Sequence, residues 1–376
     1  MVKKTPKDTR ITCLMLFLRP YFYYKANSII INNMGFVSGV LCGGKGERFW
    51  PLSRDENPKQ FLQIVGEGTL IEQTVKRLEK IPGNKEVFLI SNSRFREKLD
   101  SMFPRTFKIL EPIGRNTAPA CAVANEYAIR KYGEIILGIF PSDHYIRENE
   151  IFIETMEEAK TLAQNGYIVT IGMKPTRPET GYGYIERGEK IGVKSYKAVK
   201  FHEKPDRETA QRYISSGKFY WNAGMFVWRT DVFDEAVKKF MPDFYKVLKE
   251  YNIPEELDKI YEEAPEISVD YAIMEKTDNI AVVEGEFFWE DLGSFPSLFN
   301  VLHSDEKGNI VLGDAVVSDC TNSLFIQRGP VIAAYGLSDV IVISTNDIVL
   351  VIPMSEAQNV KKLRAIFKER GLEKLL

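Results

Sequence analysis

From Phe36 onward the chain alternates short apolar runs with amphipathic segments, a pattern that fits a mostly parallel sheet covered by helices. Strands are expected at 36–42, 86–91, 107–111, 134–140 and 167–172, with helices at 69–81, 93–103, 118–132 and 151–163 between them. The first helix carries its own start signal. Thr69 and Glu72 stand at capping-box spacing, and Leu70, Ile71, Val75 and Leu78 share one face. After 172 the sequence turns loop-rich and aromatic through Tyr196, as segments that face a ligand often do. Polar residues at 303–309 mark the best domain boundary, which predicts a catalytic domain at 34–302 and a β domain at 303–376. That tail shows strand-like runs at 310–312, 323–326, 331–335, 340–343 and 348–352, then an amphipathic helix at 356–370. No repeat period can be counted in it.

The stretch after the first strand, residues 43–62, reads GGKGERFWPLSRDENPKQFL and packs three glycines, two arginines and two lysines. Open α/β sheets bind ligands beyond the carboxyl ends of their strands, and such a loop offers backbone N–H groups and cations there. Gly43, Gly44 and Gly46 permit close backbone approach, while Lys45, Arg48 and Lys59 carry counter-charge for a polyphosphate. Neither common phosphate motif fits. A Walker A loop needs Gly-Lys-Ser/Thr where Gly46 follows Lys45, and a dinucleotide fingerprint needs glycine where Phe49 stands. Two further segments, Gly114-Arg115-Asn116 and Ser142-Asp143, also follow expected strands, which puts three such stretches on one rim of the sheet.

With its Trp-Pro-Leu-Ser-Arg and Pro-Lys-Gln-Phe, the loop resembles that of the sugar-1-phosphate nucleotidyltransferases, in the long form of the mannose-1-phosphate guanylyltransferases. Six more blocks follow in family order: GRNTAPA at 114–120, FPSDH at 140–144, PETGYGY at 178–184, FHEKP at 201–205, WNAGMF at 221–226 and WEDLG at 289–293. The resemblance implies a Rossmann-like, mostly parallel sheet with flanking helices and a small, left-handed β-helix-like C-terminal domain ending in a helix. It implies transfer of GMP from GTP to α-D-mannose 1-phosphate, giving GDP-mannose and pyrophosphate. Mg²⁺ would be held by Asp143 and Asp291, since hard carboxylate oxygens suit it. Arg48 would meet the triphosphate, Lys59 the transferred group and Lys204 the sugar phosphate. Leu41, Gly43, Gly44, Lys45, Gly46, Arg48, Gly114, Asn116, Thr117 and Ser142 would bind the nucleotide; Tyr182, Gly183, Glu203, Lys204 and Asn222 would bind the sugar phosphate.

Each residue also has a purely structural reading. Asp143 and Asp291 suit turn or helix caps, Asn116 or Thr117 suits the N-cap of the helix at 118–132, Lys204 a solvated strand end and Asn222 a turn. Trp221 and Trp289 could be core. Two other functions stay open: a related transferase with another base or sugar, and a silent nucleotide-sugar-binding paralogue. The presence of Arg48, Lys59, Asp143, Lys204 and Asp291 together weighs against the silent one.

Composition narrows the rest. A net charge of −2 over 376 residues argues against a general nucleic-acid or membrane-surface binder. Cys13, Cys42, Cys121 and Cys320 form no CxxC pair, which suggests a reduced cytoplasmic protein, and His144, His202 and His303 lack zinc-ligand spacing. Some relatives add a metal-binding phosphomannose isomerase domain; this sequence lacks those ligands, and the transferase alone is expected. A homodimer is left open. Residues 1–33 place Lys3, Lys4, Lys7 and Arg10 before an apolar stretch broken by Arg19 and Pro20. That stretch is well short of the ~20 residues a bilayer span needs and has no cleavage site, so an extension outside the catalytic fold is expected.

Overall fold

The computed structural model describes residues 34–44 and 46–376. The expected N-terminal extension and Lys45 lie outside the described residues. Strands β1 (Phe36–Leu41), β2 (Asn84–Asn92), β3 (Lys108–Glu111) and β4 (Ile136–Pro141) pair in parallel. Helices α1 (Leu70–Leu78), α2 (Arg96–Met102) and α3 (Thr117–Tyr132) connect them. The capping box forms as expected, with the Glu72 carboxylate accepting from Thr69 N–H at 2.7 Å. β1 and β4 are buried along almost their whole length, which is why they read as unbroken apolar runs.

The chain continues through β5 (Tyr145–Ile146), α4 (Asn149–Gln164), β6 (Ile168–Met173), β7 (Tyr184–Lys190) and β8 (Ser195–His202). Then come β9 (Phe219–Arg229), β10 (Ile280–Gly285) and β11 (Trp289–Glu290). A nine-stranded sheet results, in the order β3-β2-β1-β4-β9-β6-β10-β8-β7. The stretch read as loop-rich through Tyr196 is in fact largely the β7–β8 hairpin. β8 pairs with β10 and β7, and β7 also with β9, but positions Glu189, Lys190, Lys197 and Val199 are exposed, so these strands show no apolar run.

β9 runs antiparallel to both β4 and β6 in the middle of the sheet, and sequence analysis assigned it no element. Its orientation matters for function. Because β9 enters where β4 and β6 leave, its first residues share a rim with the loops that follow β1, β3 and β4.

Six short strands follow: β12 (Ile310–Leu312), β13 (Ala315–Ser318), β14 (Leu324–Gln327), β15 (Ile332–Tyr335), β16 (Val340–Ser344) and β17 (Val349–Pro353). β12, β14 and β16 stack in parallel, as do β13 and β15, in the manner of β-helix coils. The separation across adjacent coils is 14 residues from Asn309 to Ser323 but 17 from Ser323 to Val340, so no constant period exists to be counted. β13 was not expected; only alternate positions of it are even half-buried.

These coils share a core with the glycine-rich loop's continuation. Phe49, Trp50 and Leu70 pack in one cluster with Phe295, Ile310, Leu324 and Ile341. Trp50 Nε1 donates to the Leu375 carbonyl at 2.9 Å and Arg54 pairs with Asp347 at 2.6 Å. The Trp-Pro-Leu-Ser-Arg stretch therefore anchors the C-terminal part and keeps the loop's first half aimed at the rim. No helix among the described residues is long and apolar enough to cross a membrane.

Candidate active site

A cavity of about 460 Å³ opens at that rim. Its wall includes Leu41, Gly43, Gly44, Gly114, Asn116, Thr117 and Ser142, and also Asp143, Tyr182, Gly183, Glu203, Asn222 and Asp291. The structure thus brings most of the expected nucleotide and sugar residues around one space. Arg48 and Lys204 line an adjoining cavity of about 760 Å³ that shares Gly181, Tyr182 and Asp291 with the first. A larger cavity, about 820 Å³, lies between the loop from Pro51 to Gly66 and the β coils and holds none of the expected site residues.

The glycine loop is fixed from below. Gly46 has φ 60°, and a Cβ there would meet Lys59 at 2.6 Å, so glycine is required on both conformational and steric grounds. Ser53 Oγ donates to the Gly46 carbonyl at 2.7 Å. Gln60 Nε2 donates to the carbonyls of Cys42 and Gly44 at 2.8 and 3.1 Å, which ties down the backbone on either side of Gly43, and both Gly43 and Gly44 line the cavity. Gln60 was quoted within the Pro-Lys-Gln-Phe motif but given no role. Asn116 holds a positive φ of 67° and caps α3 by accepting from Thr117 N–H at 2.9 Å. It caps the helix and lines the cavity at once.

Asp143 and Asp291 come together through a two-strand ribbon. β5 pairs antiparallel with β11, setting Glu290 opposite Tyr145 and Trp289 opposite Ile146, so the residues that flank the ribbon converge. Lys59 links them: its ammonium sits 3.0 Å from Asp143 Oδ2 and also donates to the Asp291 carbonyl. Lys59 is only 5% exposed and does not itself line the cavity. Burial works against ionising Asp143, but the charge and hydrogen bond of the Lys59 ammonium outweigh it and hold that carboxyl below its ordinary range. Burial lowers the His144 imidazole below its ordinary range as well, which favours its neutral form. Trp289 Nε1 donates to its Nδ1 at 3.1 Å, which leaves the ring proton on Nε2.

Among the described residues no group of three or more His, Cys, Asp or Glu side chains gathers to hold a metal. Two carboxylates on one cavity still suit Mg²⁺, which takes one or two protein carboxylates and completes its shell with water and substrate phosphates. Asp291 Oδ1 accepts from Gly293 N–H at 2.7 Å, which orients that carboxylate.

On the sugar side, β9 supplies Asn222, β8 leads into Glu203-Lys204, and Tyr182-Gly183 precedes β7; the register pairs Tyr184 with both Trp221 and His202. A Cβ on Gly183 would stand 2.7 Å from Glu203 Oε2, so only glycine lets that carboxylate approach. Lys204 Nζ pairs with Glu203 Oε1 at 2.5 Å while its side chain stays 59% exposed. Trp289 lines the cavity and Trp221 is core.

Three acidic residues in this wall or against it were missed. Glu290, 3% exposed, accepts from Arg177 and Tyr182, both at 3.1 Å, and from Asn300 at 2.9 Å; it braces Asp291 from the adjacent position. Glu111 accepts from Tyr261 Oη at 2.7 Å, and burial raises its carboxyl. Asp270 accepts from Asn222 Nδ2 at 3.1 Å, and burial, with Glu203 nearby, pushes it up to about 7. Glu290 had a signal, the Trp-Glu-Asp motif. The other two had none, because their partners lie far away in sequence.

A family model described as nucleotidyl transferase matches residues 38–308. The chain belongs to that family. A second model, described as a MannoseP isomerase/GMP-like beta-helix domain, matches residues 313–364 of the transferase and agrees with its coils. The transferase is 36% identical over 345 residues to mannose-1-phosphate guanylyltransferase RfbM of Salmonella typhimurium, covering 88% of this chain and 72% of that protein. It is 39% identical over 354 residues to the xanthan biosynthesis protein XanB of Xanthomonas campestris, covering 88% and 73%. A crystal structure described as mannose-1-phosphate geranyltransferase from Thermus thermophilus superposes with a TM-score of 0.84 at 33% identity, covering 89% of this chain and 100% of that one. Within the family, these relatives set the transferase among the mannose-1-phosphate guanylyltransferases.

Proposed function

We propose that this transferase moves GMP from GTP to α-D-mannose 1-phosphate, giving GDP-mannose and pyrophosphate by direct in-line attack. A sugar-phosphate oxygen bonds to the α-phosphorus of GTP, the bond from that phosphorus to the bridging oxygen breaks, and pyrophosphate leaves with the electron pair. The observation that carries this reading is the shared cavity, where the glycine loop, the Asp143–Lys59–Asp291 cluster and the Glu203–Asn222 wall meet. A phosphomonoester has its second pKa at about 6, so the nucleophile is already a dianion at pH 7 and needs no catalytic base. What the protein must supply is alignment of two polyanions and stabilisation of charge on the leaving group.

On this reading the backbone N–H groups of Gly43 and Gly44 receive phosphate oxygens and Asn116 and Thr117 approach the base. Arg48 draws the triphosphate. Lys204, exposed beside Glu203, receives the sugar phosphate, and Asn222 meets the hexose hydroxyls. Lys59 holds Asp143 ionised and aligned with Asp291. Mg²⁺ bound to those two aspartates would neutralise phosphate charge and act as a Lewis acid. The reading carries a cytoplasmic setting and small-molecule partners.

The test is pyrophosphate release with GTP, ATP, UTP and dTTP, each against mannose 1-phosphate and glucose 1-phosphate, with Mg²⁺ present. Fastest turnover with GTP and mannose 1-phosphate is expected. A preference for another pair reassigns base or sugar, and binding of GDP-mannose with no release for any pair reveals a silent paralogue.

A further inference from the structure

Asn222 is more tightly constrained than a residue that merely faces a ligand. Its Oδ1 accepts from Thr170 Oγ1 at 2.9 Å and from Gly224 N–H at 3.0 Å, and its Nδ2 donates to Asp270 Oδ1 at 3.1 Å. A backbone N–H can only donate, so Gly224 fixes which end of the amide is oxygen. With both lone pairs of Oδ1 filled and one N–H given to Asp270, a single N–H remains for the cavity that Asn222 lines. The amide is thereby a donor alone.

Asp270 is placed to enforce this. It opens a short π-helical turn, Asp270–Met274, and lines the cavity wall with Glu203 and Asn222. The residues before it are pinned to the start of α3: Val269 N–H donates to Thr117 Oγ1 at 2.9 Å and Ala118 N–H to the Ile267 carbonyl at 3.1 Å. The residue that ends the turn accepts from Glu203 N–H through the Glu275 carboxylate at 3.3 Å. One segment thus joins the helix start that carries Thr117 to the wall that carries Glu203 and Asn222. The charged groups that act on Asp270 are Glu203, Lys204 and Glu275.

Resting on the function proposed above, we propose that Asp270 is a positioning residue for the sugar half of the site. It holds Asn222 so that one amide N–H meets a hydroxyl oxygen of the hexose. Asp270 then contributes to choosing between hexose 1-phosphates that differ in one hydroxyl, acting through Asn222.

The experiment is equilibrium binding of mannose 1-phosphate, glucose 1-phosphate and GTP by calorimetry. It compares the parent with Asp270→Ala, Asp270→Asn, Asn222→Ala and the Asp270→Ala/Asn222→Ala double variant. Loss of the acceptor that holds Asn222 Nδ2 predicts that Asp270→Ala weakens mannose 1-phosphate about tenfold and narrows its advantage over glucose 1-phosphate. GTP binding should stay within about twofold, which also reports that the variant is folded. Asp270→Asn retains an acceptor for Nδ2 and should recover most of the loss, and adding Asp270→Ala to Asn222→Ala should change nothing further. Unchanged mannose 1-phosphate binding in Asp270→Ala, equal weakening of GTP, or additive losses in the double variant would overturn the proposal. So would a parent that binds neither hexose phosphate. Failure of the catalytic reading would appear separately, as no pyrophosphate release by a parent that still binds mannose 1-phosphate.

Discussion

Asp143→Asn tests the chemistry and the architecture of the site together, because the carboxylate it removes is also the partner of a buried lysine. Lys59 is 5% exposed and lies 3.0 Å from Asp143, whose side chain is 36% exposed. Breaking a fully buried pair from one side costs roughly 3–5 kcal/mol. Here the cost is smaller: Asp143 is partly screened by water, and Lys59 keeps the Asp291 carbonyl and gains an amide oxygen. About 1–3 kcal/mol is expected, or a fall in Tm of roughly 1–4 °C for a chain of this length. Turnover should fall by orders of magnitude, and Mg²⁺ with GTP should raise Tm in the parent but not in the variant. The pH dependence has a definite sign. Asp143 titrates below its ordinary 3.8 in the folded protein, so its contribution is present above that value and is lost as pH falls through the lower folded pKa. The Tm gap should therefore hold from pH 7 to about 5 and close only below about 4. Scanning fluorimetry across pH, with Lys59→Met in both backgrounds, measures this. Full turnover in the variant removes Asp143 from the chemistry, and a gap that closes between pH 7 and 5 assigns the stability to another group.

Lys204→Ala should raise KM for mannose 1-phosphate more than KM for GTP, since the side chain is largely exposed and pairs with its neighbour Glu203 on the sugar side; steady-state kinetics on each substrate would detect an equal loss for both, which would contradict the division. Trp50→Ala should cost roughly 3–5 kcal/mol in denaturant unfolding by emptying a site that is 1% exposed, while the folded fraction keeps its KM for both substrates. Chelation with EDTA should abolish pyrophosphate release and added Mg²⁺ restore it; release that persists without divalent ions would remove the metal from the proposed function.

The first half of the sheet was legible because β1, β4 and β6 are buried on both faces and leave continuous apolar runs. β9 escaped because Asn222 and Gly224 interrupt its apolar pattern and contribute to the site. Clustering on one rim could be read from strand ends alone, and so could the cationic loop. What each cation does could not. Lys59, expected near the transferred group, pairs with Asp143, and the Trp50–Arg54 stretch that marked the long loop binds the C-terminal part of the chain. Asp270 was invisible because its partner Asn222 is 48 residues away, a contact created by the order of strands rather than by any local spacing.

Charge balance at the centre of the site follows from the same geometry. Asp143 and Asp291 both line a cavity proposed to take a triphosphate and a sugar phosphate, and Lys59, which touches both residues, donates to the carboxylate of Asp143 and the backbone carbonyl of Asp291. Arg115 also lines that cavity, while Arg48, Arg177, Lys204 and Lys361 line the adjoining one. Unaided, an acidic pair would repel the anionic substrates it is meant to align, by an amount that grows as the cavity loses water. Lys59 offsets about one of the two negative charges, so the remaining charge gives a divalent cation a reason to bind there before or with the nucleotide. The aspartates, the buried lysine and the ribbon that joins them are therefore one electrostatic unit, and on the proposed function replacing any member should change how the rate depends on Mg²⁺ concentration.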